Sequence, residues 1–148
     1  DPARPVYVEA ESKKIGLLQL PDALMQALAQ ADCIRVDASL EDRVVFLCED
    51  YAALFDQPEW FKQQLARLTE LHGRQTIVHW HALIDDADKP TLFRELILQH
   101  YDPAYQRSGH HLYPRLAAAQ AFDFRPCSAN LAEEARRLLA TLAEIQQP

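Results

Sequence analysis

The strongest constraint on this chain is how little of it reads as strand. Three short runs qualify: residues 5–10 around Val6-Tyr7-Val8, Cys33-Ile34-Arg35-Val36-Asp37-Ala38, and Ala121-Phe122-Asp123-Phe124-Arg125, which Pro126 stops. Between the first two, Pro21-Asp22 opens a helix through Ala31, with Leu24, Met25 and Leu28 on one face. After the second, Ser39 caps a helix that runs to about Leu54. Asp42 stands at its third position, a reduced capping box, and Val44, Leu47, Cys48 and Tyr51 point inward. The order β-α-β-α implies parallel strands joined by helical crossovers. The expected fold is therefore α/β and helix-rich, with a partial parallel sheet of about three strands. Most sheets have about 4–6 strands, so further strands are expected upstream.

From Asp56 to Tyr101 the pattern is helical. Asp56 is the expected cap of the first stretch, with Pro58 in its first turn, Phe61, Leu65, Leu68 and Leu71 on one face, and Gly73 at its end. In residues 75–85, Ile77, Trp80, His81 and Ile84 recur at helical spacing. The segment also alternates, so a strand stays open there, with helix favoured. A third helix starts near Pro90, with Leu92, Phe93, Leu96 and Ile97 facing in. Helices inserted at about 56–101 suggest a lid over the strand ends. The return through YDPAYQRSGHHLYPR reads as a polar, aromatic loop. Asn130 with Glu133 starts an amphipathic closing helix over 131–145. There is no internal repeat and no low-complexity tract.

Composition narrows the class. At 148 residues the length suits one domain with a real core. No apolar run approaches the ~18 residues of a membrane span, so no membrane partner is expected. Cys33, Cys48 and Cys127 are odd in number, far apart and set among apolar neighbours, which reads as reduced core thiols in a cytoplasmic protein. A net charge of −7 argues against a nucleic-acid clamp made by this chain alone, while leaving room for a local basic patch. The chain opens at Asp1, without a leader of the secretory kind. It is expected to be a domain piece or a processed chain with no signal peptide.

The first strand leads into Glu9, Glu11, Lys13 and Lys14. In parallel α/β proteins the carboxyl end of a strand is where phosphorylated ligands sit. A phosphate loop needs two glycines five residues apart before a lysine. Gly16, Gly73 and Gly109 are all far from one another. The chain reads as the back half of a nucleotide-binding-like domain whose front half lies elsewhere.

The blocks RPVYVEAESKKIG, LPDALMQAL, RVDASLEDRVVFLCEDY and LILQHYDPAYQRS, in that order, resemble the carboxy-terminal region of tRNA 2-selenouridine synthase. The VEAES-KKIG and HYDPAYQRS blocks are the specific ones. The resemblance implies that residues 1–148 are the carboxy-terminal part of a P-loop NTPase-like domain. A rhodanese domain with a catalytic cysteine and the Walker A loop are expected upstream in the same polypeptide. It implies an enzyme that replaces the sulfur of wobble 2-thiouridine in tRNA with selenium. Selenophosphate is the selenium donor, and a geranylated intermediate forms from geranyl diphosphate. No covalent cofactor is implied. None of the three cysteines sits in a rhodanese-type loop, so this chain alone is expected to be inactive.

Against that background the candidate residues carry two readings each. Glu9 and Glu11 share a strand face and could orient Mg²⁺ or a water near a diphosphate, or could simply pair with a neighbouring cation. Glu11, nearer the strand end, is the better catalytic candidate. Ser12, Lys13 and Lys14 belong to the same block; the lysines bind phosphate or are ordinary surface cations. Tyr101, Asp102, Tyr105, Arg107 and Ser108 form the second cluster. Arg107 could steady a diphosphate leaving group, and the tyrosines could stack on a base or line a prenyl pocket. Alternatively, Asp102-Pro103 caps a new helix and the tyrosines are packing. Arg43 could reach the same region or be a solvated helix arginine.

Five histidines lie at 79–111, but His79 and His81 point apart on a helix and no ligand set is complete, so no metal site is expected. Two other functions remain open. One is a fragment of a P-loop nucleotide or small-molecule kinase, and the other is a non-catalytic helical module that docks tRNA or another subunit.

Overall fold

The computed structural model describes residues 5–10, 13–127 and 129–145. They fall into two compact units, one of residues 1–36 and 102–122, the other of residues 37–101 and 123–148.

The first unit begins with residues 5–10, which join no strand ladder. Val6 is 82% exposed and Val8 55%. The expected first strand is therefore absent there. An apolar run becomes a buried strand only when a neighbour takes its backbone hydrogen bonds, and no described segment does so. A tight antiparallel hairpin follows, β1 (Lys14–Ile15) and β2 (Leu18–Gln19), turning at Gly16 with φ of 61°, where a side chain would be strained. Helix α1 (Asp22–Gln30) is where the periodicity places it.

The sheet proper is a parallel pair, β3 (Ile34–Asp37) and β4 (Gln120–Asp123), so the fold is helix-rich α/β with two longer strands rather than about three. Between them the segment read as a loop forms helix α7 (Asp102–Leu112) and a 3₁₀ turn over Pro114–Ala118 that touches both α7 and α1. Asp102 and Pro103 suit a helix's first turn. That start overrides Gly109, whose interior position costs about 1 kcal/mol. Among the described residues of this unit, Tyr113 and Phe122 are buried, and Arg115 pairs with Asp32 at 2.8 Å.

The second unit is helical. Ser39 caps α2 (Leu40–Asp50) as expected: its Oγ accepts from the Asp42 amide at 3.1 Å and donates to Asp42 Oδ2 at 2.7 Å. A 3₁₀ turn over Ala52–Asp56 then takes up Asp56, so α3 (Pro58–Ala66) starts from Gln57 without a side-chain cap. The helix expected to reach Gly73 breaks at Arg67-Leu68 and resumes as the short α4 (Thr69–His72). This rotates Leu71 off the apolar face, and it is 57% exposed. Helices α5 (Arg74–Asp85) and α6 (Lys89–Leu96, capped by Asp88) follow. The helical alternative for residues 75–85 is the one observed.

The core joins Phe61, Leu65, Ile77, Trp80, Leu83, Ile84, Leu92, Phe93 and Leu96, with Leu47 and Cys48 of α2 packed against it. The helices at 56–101 thus form the body of this unit together with α2. Tyr51 remains 44% exposed instead of facing inward. Helix α8 (Leu131–Ile145) closes the chain. Its expected side-chain cap is not formed, because Asn130 Oδ1 is buried with no partner among the described residues, while its Nδ2 donates to the Arg125 carbonyl at 3.4 Å. Of the cysteines, Cys48 is half-buried against this core, Cys33 is half-buried elsewhere and Cys127 is exposed rather than in a core. Among the described residues no helix is long and apolar enough to cross a membrane.

Candidate functional site

Two sequence blocks meet in the first unit. Glu9, in the extended segment before the hairpin, accepts a hydrogen bond at 3.3 Å on Oε1 from the Tyr105 hydroxyl. Helix formation over 102–112 presents Tyr105 one turn in from Asp102, and both partners of the bond are exposed. Lys13, beside the same segment, pairs with Asp22 at the start of α1, and its carbonyl accepts from the Leu20 amide at 2.8 Å. The acid that Lys13 meets here is Asp22, from outside the block that carries Glu9 and Glu11. The Lys13 ammonium, hydrogen-bonded to Asp22, holds that carboxyl below its usual range. Lys14 is on β1, Asp102 opens α7, and Arg107 is exposed two residues beyond Tyr105. Glu11 and Ser12 lie outside the described residues, as does the side chain of Ser108.

Arg43 and Tyr101 belong to the second unit. Arg43 is half-buried on α2. Tyr101 ends a single π turn, Ile97–Tyr101, that continues α6. Such turns are rare and recur at functional sites.

Sequence reasoning passed over a connected set of side chains around this turn. His72 Nε2 and His100 Nδ1 are 3.1 Å apart, one donating to the other. The His72 ring lies 5.0 Å from fully buried Trp80 and 5.2 Å from His100, whose ring lies 5.3 Å from Tyr101. Below them, Glu95 Oε2 accepts from the Trp80 indole N–H at 2.9 Å. Its Oε1 sits 2.9 Å from His79 Nε2. Burial raises the Tyr101 phenol above its ordinary value, and the neighbouring Tyr51 phenol acts in the same direction. The one signal in the sequence is the histidine spacing, which reads equally as a metal set or as a cluster near a tRNA-binding surface. His81 instead bonds the Lys62 carbonyl at 3.0 Å. Among the described residues no three metal-binding side chains come together.

A family model described as the tRNA 2-selenouridine synthase AAA domain matches residues 1–79 of the chain. No curated protein and no solved structure matches it.

Proposed function

This chain belongs to the family of tRNA 2-selenouridine synthase AAA domains, and from that we propose that it is one part of an enzyme that exchanges sulfur for selenium in wobble 2-thiouridine of tRNA. In this reading selenophosphate donates the selenium and geranyl diphosphate supplies a geranylated intermediate. A rhodanese segment and a phosphate loop upstream in the same polypeptide complete the site, and the enzyme works in the cytoplasm.

The observation that carries the reading is the bond from Tyr105 to Glu9. It joins the two blocks most specific to the family resemblance, although they are far apart in sequence. Glu9 then serves as an acid held in place near the diphosphate, with Glu11 beside it in sequence. Ser12, Lys13, Lys14, Arg107 and Ser108 supply phosphate contacts. Arg43 and the aromatic residues serve the nucleic acid or the prenyl chain.

A carboxylate such as Glu9 is the oxygen donor Mg²⁺ takes. One carboxylate falls short of its octahedral set, so water and diphosphate oxygens would complete it. The ion would balance diphosphate charge, while this chain's own residues position the substrate.

The test compares this chain with a polypeptide that also carries the upstream segments, each incubated with thiolated tRNA and selenophosphate. Mass spectrometry of the digested tRNA should show selenouridine only with the longer polypeptide. Arg107→Ala in that polypeptide should weaken geranyl diphosphate binding about ten- to a hundredfold, since a charge-assisted contact is worth ~1.5–3 kcal/mol. Selenouridine made by the 148-residue chain alone, or unchanged affinity by calorimetry, would count against the assignment.

A further inference from the structure

We propose that the hydrogen bond between His72 and His100 is a proton-operated latch, closed while the two rings carry at most one positive charge between them and open when both are charged. His72 Nε2 and His100 Nδ1 are 3.1 Å apart. A ring N–H donates to a lone pair, so one ring must present an unprotonated nitrogen at the contact. Two neutral rings meet that condition. A pair with one imidazolium meets it as well, and its bond is the stronger, charge-assisted kind. Two imidazolium rings cannot: N–H then faces N–H, and like charges at this distance repel. Both rings are half-buried, so salt and water screen that repulsion less than they would at the surface.

The contact holds two helical segments together. His72 ends the short α4, and His100 lies in the π turn Ile97–Tyr101. The His72 ring lies 5.0 Å from fully buried Trp80, and the Tyr101 ring lies 5.3 Å from His100. When the latch opens, the two rings turn to water for their hydrogen bonds. Water then reaches the side of Trp80 that His72 had covered, and the end of the π turn loses its tie to α4. The backbone bonds of both segments are untouched, so the step is a local rearrangement rather than unfolding.

Among the described residues, α5 brings His79 to this cluster, α6 brings Glu95, and the π turn brings Tyr101, with the Tyr51 phenol acting on it from the end of α2. Both Glu95 oxygens are engaged, Oε1 by His79 and Oε2 by the Trp80 indole. Burial, with Tyr51 acting in the same direction, raises the Tyr101 phenol, which stays neutral. Neither Glu95 nor Tyr101 therefore supplies the free anion that a second imidazolium would call for. His81, also on α5, bonds the Lys62 carbonyl instead. His79 is the other base joined to this network, through Glu95, and the test separates it from the pair.

Trp80 reports the state of the latch. Trp60 is the other tryptophan, so Trp60→Phe leaves Trp80 as the one indole emitter. Acidification from about pH 8 to about pH 5 crosses the ordinary imidazole range, about 6.5, while most carboxylates stay ionised. Trp80 emission should move to the red in one step, with far-UV helix content unchanged. His72→Gln and His100→Gln should each abolish the step, because a glutamine carbonyl accepts from the remaining ring whether or not that ring is charged. His79→Gln should leave the step in place. NMR of the intact chain, which needs no variant to fold, gives a second reading. The later of the two rings to gain its proton, followed by its nitrogen shifts, should do so over the same pH interval. A step that survives both His72→Gln and His100→Gln, vanishes in His79→Gln, or is absent altogether would overturn the proposal. So would rings that titrate outside that interval, or a loss of helix content with the step.

Discussion

Tyr105 donates its phenol hydrogen to Glu9 Oε1 at 3.3 Å, joining two residues 96 positions apart in the sequence. Both side chains are exposed, so the bond does little for stability and its effect lies in where it holds the carboxylate. In a selenation-competent polypeptide, Glu9→Gln is expected to lower kcat at least about tenfold, equivalent to ~1.4 kcal/mol of transition-state stabilisation. Tyr105→Phe should lower kcat by a smaller factor. Neither should move the melting temperature by more than a few degrees, as expected for an exposed bond worth about 1 kcal/mol. Parallel loss of rate and melting temperature would point to a structural role.

Ser39 satisfies an otherwise orphaned amide at the start of α2. Ser39→Ala should destabilise the chain by about 1 kcal/mol, and Ser39→Asp should restore most of that. Urea midpoints at constant m-value are the measurement. No change in midpoint would mean that α2 holds its first turn by packing alone.

Glu95 is the acceptor for the indole N–H, the one polar side-chain group of the fully buried Trp80. Glu95→Ala should cost roughly 1–3 kcal/mol, because a buried indole N–H is left without its partner. Glu95→Gln should cost less, since its amide oxygen can still accept from the indole. Trp80 emission should shift in the alanine variant and stay nearly constant in the glutamine one.

Three carboxylates are held below their ordinary values by cationic partners: Asp22 by Lys13, Glu41 by Arg94 and Glu134 by Arg137. A depressed folded-state value means that the unfolded chain takes up protons first. The contribution of each pair is complete above the ordinary carboxylate range and is lost as pH falls through the depressed value. Stability should therefore be flat near neutrality and fall from about pH 4.5 downward. Asp22 and Glu41 face solvent while Glu134 is half-buried, so the part of the fall that comes from the first two pairs should be shallower in high salt. Arg94→Gln, which releases Glu41, should reduce the acid sensitivity measured by urea midpoints at low salt. An acid loss unchanged by either salt or this substitution would contradict the origin assigned to it.

Local sequence determined those elements whose signals are local. The 3.6-residue recurrence of Ile77, Trp80 and Ile84 made α5 a helix with a buried face, and Leu92, Phe93, Leu96 and Ile97 did the same for α6 and the turn beyond it. A hydroxyl at position 39 followed by an acid at position 42 was enough to begin α2. These outcomes need only backbone hydrogen bonds and side chains within one or two turns of each other, so a short window contains their physics.

Tertiary structure decided the rest, because the partners are remote. Val6-Tyr7-Val8 has strand composition, but a strand also needs a neighbour to accept its hydrogen bonds, and no composition supplies one. Tyr51 and Leu71 have apolar spacing, yet the 3₁₀ turn after α2 and the break before α4 turned them outward. Asp102-Pro103 could open either a loop or a helix, and the chain adopted the helix that brings Tyr105 to Glu9. The His72–His100 bond spans 28 residues and two helical segments. The sequence placed these side chains on separate elements, and only the packing of those elements made them neighbours.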